Sequence, residues 1–182
     1  IYDRLLKKGA VMGDSFGLEN ALWFAKNEKD AHEEPTFKRS RSHNYIADEI
    51  KAVRTAVGAT EIANFAKHEF TGPEARNFLD YILAGNIPRP GRIVLTPMLT
   101  HKGKLYGDLT VACLNENKFM LFGSGAAQEM HRRWFEKFLP NNEVNYKNRS
   151  DDFHGIAISG PNSRKLLSKI CRDDVSDKVF KF

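Results

Sequence analysis

Leu105-Tyr106-Gly107-Asp108-Leu109-Thr110-Val111 sits inside the apolar run 93–123. Its reading decides the fold. Ile93–Leu99 and Leu105–Cys113 read as two strands joined by the turn Thr100-His101-Lys102-Gly103-Lys104, and a third strand follows Asn115-Glu116-Asn117 and ends at Gly123. Side chains alternate between the faces of a strand. Leu105, Gly107, Leu109, Val111 and Cys113 are therefore predicted on one face, and Tyr106, Asp108, Thr110 and Ala112 on the other. An acid among apolar strand residues stands either on a wet face or in a site.

Around this hairpin the periodicity turns helical. Ile46, Ile50, Val53 and Val57 form a stripe that stops at Gly58. Glu61–Phe70 reads as a strand region with a bend. Thr71-Gly72-Pro73 then leads into a helix with Phe78, Leu79, Ile82 and Leu83 on one face, with Pro73 placed in its first turn. A further helix over 126–139 is predicted to bury Met130, Trp134 and Phe138. Phe70-Thr-Gly-Pro-Glu-Ala-Arg-Asn-Phe-Leu79 is echoed by Ile158-Ser-Gly-Pro-Asn-Ser-Arg-Lys-Leu-Leu167, with Arg at the same offset. The echo implies two related βα units. Together these elements predict an α+β fold, a largely antiparallel sheet with packed helices.

The chain has 182 residues and 41% hydrophobic content, enough for one core. No apolar run is long enough for a membrane span. Residues 1–44 read as a connector, with a short helix starting at Tyr2, a polar loop over 26–35, and Trp23 and Phe24 gripping another surface. Residues 45–182 read as the packed domain. The net charge of +5 is dispersed, as in Lys7-Lys8, Lys38-Arg39-Ser40-Arg41 and Arg132-Arg133. Nucleic-acid binders gather their charge and interleave aromatics, so no nucleic-acid partner is expected. Cys113 and Cys171 belong to no CxxC pair and read as small buried thiols of a reducing compartment, cytoplasm or mitochondrial matrix. The six histidines show no ligand spacing, so no metal is expected.

In this order and spacing, the segments resemble the aminomethyltransferase (glycine-cleavage T-protein) family. They are most similar to the C-terminal region of dimethylglycine and sarcosine dehydrogenases. The matching pieces are Tyr2-Asp-Arg-Leu with Gly9-Ala10 and Gly13, Leu22-Trp-Phe-Ala25, Ala52-Val-Arg-Thr-Ala-Val-Gly58 and Phe65-Ala-Lys67. Thr71-Gly-Pro73, Met98–Val111, Ile158-Ser-Gly-Pro161 and the tail Asp174-Val-Ser176…Phe180-Lys-Phe182 complete the series. The resemblance implies an incomplete folate-binding domain. It also implies a tetrahydrofolate-binding, one-carbon transfer function that passes a methyl-derived carbon to 5,10-methylenetetrahydrofolate. The alternative it leaves open is a non-catalytic folate-binding or scaffold member.

By the same resemblance Asp108 is the catalytic acid facing the pterin. Phe65, Leu95, Tyr106, Phe122, Gly123, Ser124 and Gly125 line the cofactor, with Gly123 and Gly125 admitting a flat ring close to the backbone. The implied partners are folate and a one-carbon unit from a methylated amine. FAD is expected only in an N-terminal half, since no Gly-x-Gly-x-x-Gly follows a strand here. The family's later Gly-Glu strand and arginines would lie past Phe182. The piece alone is therefore expected to be inactive and to self-associate through uncovered apolar surface.

Overall fold

The computed structural model describes residues 1–15, 17–140 and 142–180, with the side chain of Leu18 left aside. Lys181 and Phe182, the end of the tail cited above, lie outside the described residues. The chain forms two compact units, Ile1–Thr60 with Ile158–Phe182, and Glu61–Ala157.

The second unit is built on five antiparallel strands. They are β4 (Ala66–Thr71), β5 (Ile93–Leu99), β6 (Leu105–Asn115), β7 (Lys118–Gly123) and β8 (Asn145–Asn148), in the order β5-β6-β7-β4-β8. Helices α3 (Ala75–Ile82) and α4 (Gln128–Phe138) cover one face. Phe78, Leu79 and Ile82 of α3 and Phe135 of α4 close on Phe70, Met98, Leu109, Val111, Cys113, Phe119 and Leu121 from the strands. This is the expected α+β arrangement, and alternation accounts for it. Val94, Val111, Leu121 and His68 form one cross-strand row on the helix side. Leu95, Thr110, Phe122 and Lys67 form the next row on the opposite side.

Alternation fails at two places in β6, at Tyr106 and between Cys113 and Asn115. Met98 pairs with Gly107 but Leu99 pairs with Leu105, so Tyr106 is an extra, bulged residue. Its ring turns to the helix side and lies tilted against Trp134 at 4.5 Å between centroids. Contrary to simple alternation, Tyr106 therefore does not share a face with Asp108, and Leu105, paired with Leu99 and exposed, does not share one with Leu109.

α4 is also rotated from its expected setting. His131 and Phe135 are its buried residues, Trp134 and Phe138 are half-buried, and Met130 is exposed. The sheet selects the stripe that fits its contour, and the small side chains at Gly107 and Gly123 leave room for a ring there. Pro73 precedes α3 rather than entering it. The Ala75 N–H donates to the Gly72 carbonyl (3.1 Å), which makes 72–75 a turn with Pro second.

In the first unit, residues 1–44 carry structure of their own. After α1 (Tyr2–Lys7), β1 (Ala10–Ser15) and β2 (Leu18–Phe24) pair as an antiparallel hairpin. Trp23 is buried against Val11, Ala25 and Tyr45. Asp30 then ties the following loop together, accepting from the Tyr45 hydroxyl (2.5 Å) and pairing with Arg41 (3.1 Å). α2 (Ser42–Thr55) appears where the periodicity placed a helix, but its stripe is not a core stripe. Ile50 is 53% exposed and Ile46 39%, because Tyr45 makes the contact with the hairpin. β3 (Gly58–Glu61) and β9 (Ile156–Ser159) form a further two-stranded sheet, and α5 (Ser163–Ile170) follows β9. Cys171, just beyond α5, is exposed, against expectation. Cys113 is buried and free.

The sequence echo is an echo of structure. Gly72 (φ +128°) and Gly160 (φ +124°) open equivalent turns, and the Ser163 N–H donates to the Gly160 carbonyl at 3.1 Å. Arg76 donates to the Pro88 carbonyl (3.1 Å), pairs with Glu116 (3.2 Å) and lies over the Phe119 ring. Arg164 donates to the Val175 carbonyl (2.6 Å), pairs with Asp177 (2.8 Å) and lies over Phe180. The glycines are required because no Cβ fits. At Gly72 it would stand 2.2 Å from the Glu143 carbonyl oxygen, and at Gly160 2.5 Å from those of Val53 and Ala56.

Candidate functional site

The sheet face away from α3 and α4 opens into a groove of about 490 Å³ within the second unit. Its floor is the row Leu95, Thr110, Phe122 and Lys67, with Asp108 one step further along β6. One wall is the 62–65 loop with Ile62, Asn64 and Phe65, and the far end is Gly123, Ser124 and Gly125, where β7 runs into α4. Gly155 completes the lining and accepts from the Ile62 N–H (2.8 Å), which anchors the wall. The groove thus brings together Asp108, Phe65, Leu95, Phe122, Gly123, Ser124 and Gly125. Tyr106 is not brought with them, because of the bulge.

Two of these positions play a different part from the one expected. A Cβ on Gly123 would meet Leu109 and the His131 ring, and one on Gly125 would stand 1.9 Å from the Asn64 carbonyl oxygen. The space beside each glycine is taken by the protein itself.

The remaining surface is apolar and aromatic. Leu95 is 65% exposed and Phe65 46%. Asp108 is the sole acid in the lining. The one lining cation is occupied elsewhere: the Lys67 ammonium donates to the carbonyls of Ala63 and Phe65 (2.8 Å each) and of Ser150 (3.4 Å). Its backbone N–H also donates to Ser150 Oγ (2.9 Å). Lys67 therefore clasps the wall rather than charging the groove. Its only sequence signal was its place in Phe65-Ala-Lys67. Thr110 was legible on the Asp108 face, whereas Ile62, Asn64 and Gly155 come from loops that carry no periodicity.

Behind the floor, on the helix side, lie two buried imidazoles. His68 accepts from or donates to Tyr146 Oη (2.9 Å) and meets the Phe135 ring edge-on. Burial, and secondarily the neighbouring His131, pulls its pKa down from 6.5 to about 4. Burial lowers the His131 pKa as well, opposed by the Asp108 charge and the nearby Tyr106 backbone.

A larger hollow of about 870 Å³ in the first unit has weaker chemistry. Its Lys26 and Asp48 are exposed and paired with each other at 2.5 Å. Among the described residues no three His, Cys, Asp or Glu side chains converge to hold a metal, and no helix is long and apolar enough to cross a membrane.

Known proteins place this fold. The chain is 34% identical over 185 residues to mitochondrial dimethylglycine dehydrogenase of Homo sapiens, covering all of this chain and 21% of that one. It is 30% identical over 177 residues to an aminomethyltransferase of Thermosipho melanesiensis, covering 96% of this chain and 44% of that one. The crystal structure of glycine cleavage system aminomethyltransferase T from Bartonella henselae superposes with a TM-score of 0.69 at 20% identity, over 92% of this chain and 42% of that one. The chain thus spans less than half the length of each, from 21% to 44%. All of it, residues 1–182, matches one family, and the chain belongs to the GCVT N-terminal domain family, the family of the aminomethyltransferases.

Proposed function

We propose that the groove is the tetrahydrofolate end of a one-carbon transfer site in a dimethylglycine- or sarcosine-dehydrogenase-like enzyme, and that Asp108 is its catalytic carboxylate. The observation that supports this most is the lining. It holds a single acid, at the rim of a floor and wall made by Leu95, Phe122 and Phe65. A volume of about 490 Å³ lies within the usual span of small-molecule sites, about 300–1,000 Å³. An apolar slot with one carboxylate suits a flat heteroaromatic ring bearing an amine. When bound, tetrahydrofolate supplies the amine nitrogens that take up the one-carbon unit.

What this chain contributes is position and one proton. Phe65 and Phe122 offer aromatic faces to a flat ring and exclude water from it. Lys67 holds Phe65 in place through its backbone carbonyl. The Asp108 carboxylate stands where it can accept the proton the amine sheds as its nitrogen forms a bond to carbon. Its charge also stabilises a cationic adduct at that nitrogen. Donor amine and flavin chemistry fall to a half of the protein ahead of residues 1–44, which lead into the domain.

The test is the full-length protein carrying Asp108→Asn, which keeps shape and removes the base. Tetrahydrofolate-dependent capture of the one-carbon unit should fall about 100-fold or more. Tetrahydrofolate affinity should stay within about threefold, since the apolar contacts remain. A variant that captures the unit at the wild-type rate removes Asp108 from the chemistry.

A further inference from the structure

Ser150 lines no part of the groove, yet it meets Lys67 in two ways. The β4–β8 pairing ends at His68 and Asn148. One residue further, the Arg149 N–H still donates to the Lys67 carbonyl (2.8 Å), but the Lys67 N–H turns to a side chain, Ser150 Oγ (2.9 Å). Lys67 is 3% exposed, so an N–H left unpaired there would be costly. The hydroxyl is itself aimed. It donates to Asn148 Oδ1 (2.7 Å), which also accepts from the Ser150 N–H (3.0 Å). The Ser150 carbonyl then accepts from the Lys67 ammonium at 3.4 Å.

Lys67 passes this anchorage on to the wall. Its ammonium donates to the carbonyls of Ala63 and Phe65, at 2.8 Å each. At the other end of the wall the Ile62 N–H donates to the Gly155 carbonyl (2.8 Å). Residues 62–65 are therefore slung between two points of one segment, Ser150 and Gly155. That segment is braced: the Asp152 N–H donates to the Arg149 carbonyl (3.0 Å), and the Arg149 side chain pairs with Asp152 (2.5 Å) and lies over the Phe153 ring. Phe65, by contrast, is an exposed side chain with little packing to hold it, so its backbone decides where the ring stands.

We infer that Ser150 is a positioning residue for the groove: acting through Lys67, it sets where the 62–65 wall and the Phe65 ring stand against the floor. Binding to a wall that is in place for only a fraction of the time is weakened by that fraction. Removing the hydroxyl takes the acceptor from one buried N–H and the donor from Asn148, enough to shift such a balance several-fold. Asp108 lies on β6, with β7 between it and β4, and keeps its place.

The inference rests on the reading of the groove as a tetrahydrofolate site, and its test separates the two. In the full-length protein, Ser150→Ala removes the hydroxyl, Ser150→Thr keeps one, and Asn148→Ala leaves the native hydroxyl in place but unaimed. Each is compared with wild type by tetrahydrofolate affinity, by kcat for one-carbon capture, and by amide hydrogen exchange at Ile62 in the free protein. Ile62 is the informative amide, because its own acceptor, Gly155, is untouched by all of these substitutions.

Ser150→Ala should weaken tetrahydrofolate affinity about fivefold with kcat within about twofold, and speed exchange at Ile62 about fivefold. Asn148→Ala should move affinity and exchange in the same direction, by about two- to threefold. Ser150→Thr should stay within about twofold of wild type. Unchanged affinity or unchanged exchange at Ile62 in Ser150→Ala overturns the inference, as does a Ser150→Thr no better than Ser150→Ala. If Ser150→Ala does not fold, the same outcomes are read from Asn148→Ala against wild type. If the wild type does not bind tetrahydrofolate, the functional reading fails, and exchange at Ile62 still decides whether Ser150 holds the wall.

Discussion

Lowering the pH should unload the core at His68, and the size of the effect can be worked out from its surroundings. His68 is fully buried, with Tyr146 Oη on Nδ1, the edge of Phe135 against its ring, His131 at 6.1 Å between centroids, and Nε2 without a partner among the described residues. Only Glu129 favours its charged form, and only as a minor influence. The folded protein therefore holds this ring neutral down to a pKa of about 4, while an unfolded chain protonates it near 6.5. Below pH 6.5 the unfolded state binds the extra proton, so stability is complete above about pH 7, falls from about 6.5 to 4, and levels off below. The loss from this residue is about 2 kcal/mol at pH 5 and about 3 kcal/mol at pH 4.

Urea unfolding from pH 7.5 to 4, on the wild type and on His68→Gln, isolates the residue, because carboxylates and His131 contribute to both proteins. The two stability curves should converge by about 2–3 kcal/mol as pH falls, the wild type losing more. An imidazole titration by NMR gives the same answer directly. Parallel curves, or a His68 midpoint near 6, would refute the account of an imidazole held neutral by burial.

Lys67→Met should cost about 2–4 kcal/mol by leaving the Ala63 and Phe65 carbonyls without a donor. It should also weaken tetrahydrofolate binding more than Asp108→Asn does; thermal melts and ligand titration check both. Gly72→Ala and Gly160→Ala should each cost about 2–4 kcal/mol, since both combine a left-handed φ with a carbonyl oxygen in the way. Gly103→Ala, at φ +68° in open space, should cost only about 1 kcal/mol. Equal losses at all three glycines would show that packing around the Gly-Pro turns plays no part.

The strands at 93–123, the helix after Thr71-Gly-Pro73 and the paired βα echo were legible because each is a local pattern. A period of 2, a period of 3.6 and a Gly-Pro turn are written in neighbouring residues. Asp108 could be singled out for the same reason, as the one acid on an alternating strand. The hairpin at 10–24 was not legible, because Gly13 and Gly17 punctuate its apolar residues and Tyr45, far along the chain, helps to complete the cluster around Trp23.

By itself the sequence determined the strands within 93–123, the helices that follow Thr71-Gly-Pro73 and Gly125, the antiparallel α+β class, and the face that Asp108 shares with Thr110. Tertiary structure alone decided that Tyr106 leaves that face and that His131 rather than Met130 is buried. It also decided that Lys67 spends its charge on three carbonyls. The setting of Tyr106 depends on Trp134, far along the chain, and the Lys67 clasp joins Ala63 and Phe65 nearby to Ser150, 83 residues away. Periodicity says which residues share a face, whereas a bulge, a helix rotation or a buried donor is settled by what the opposing surface has room for.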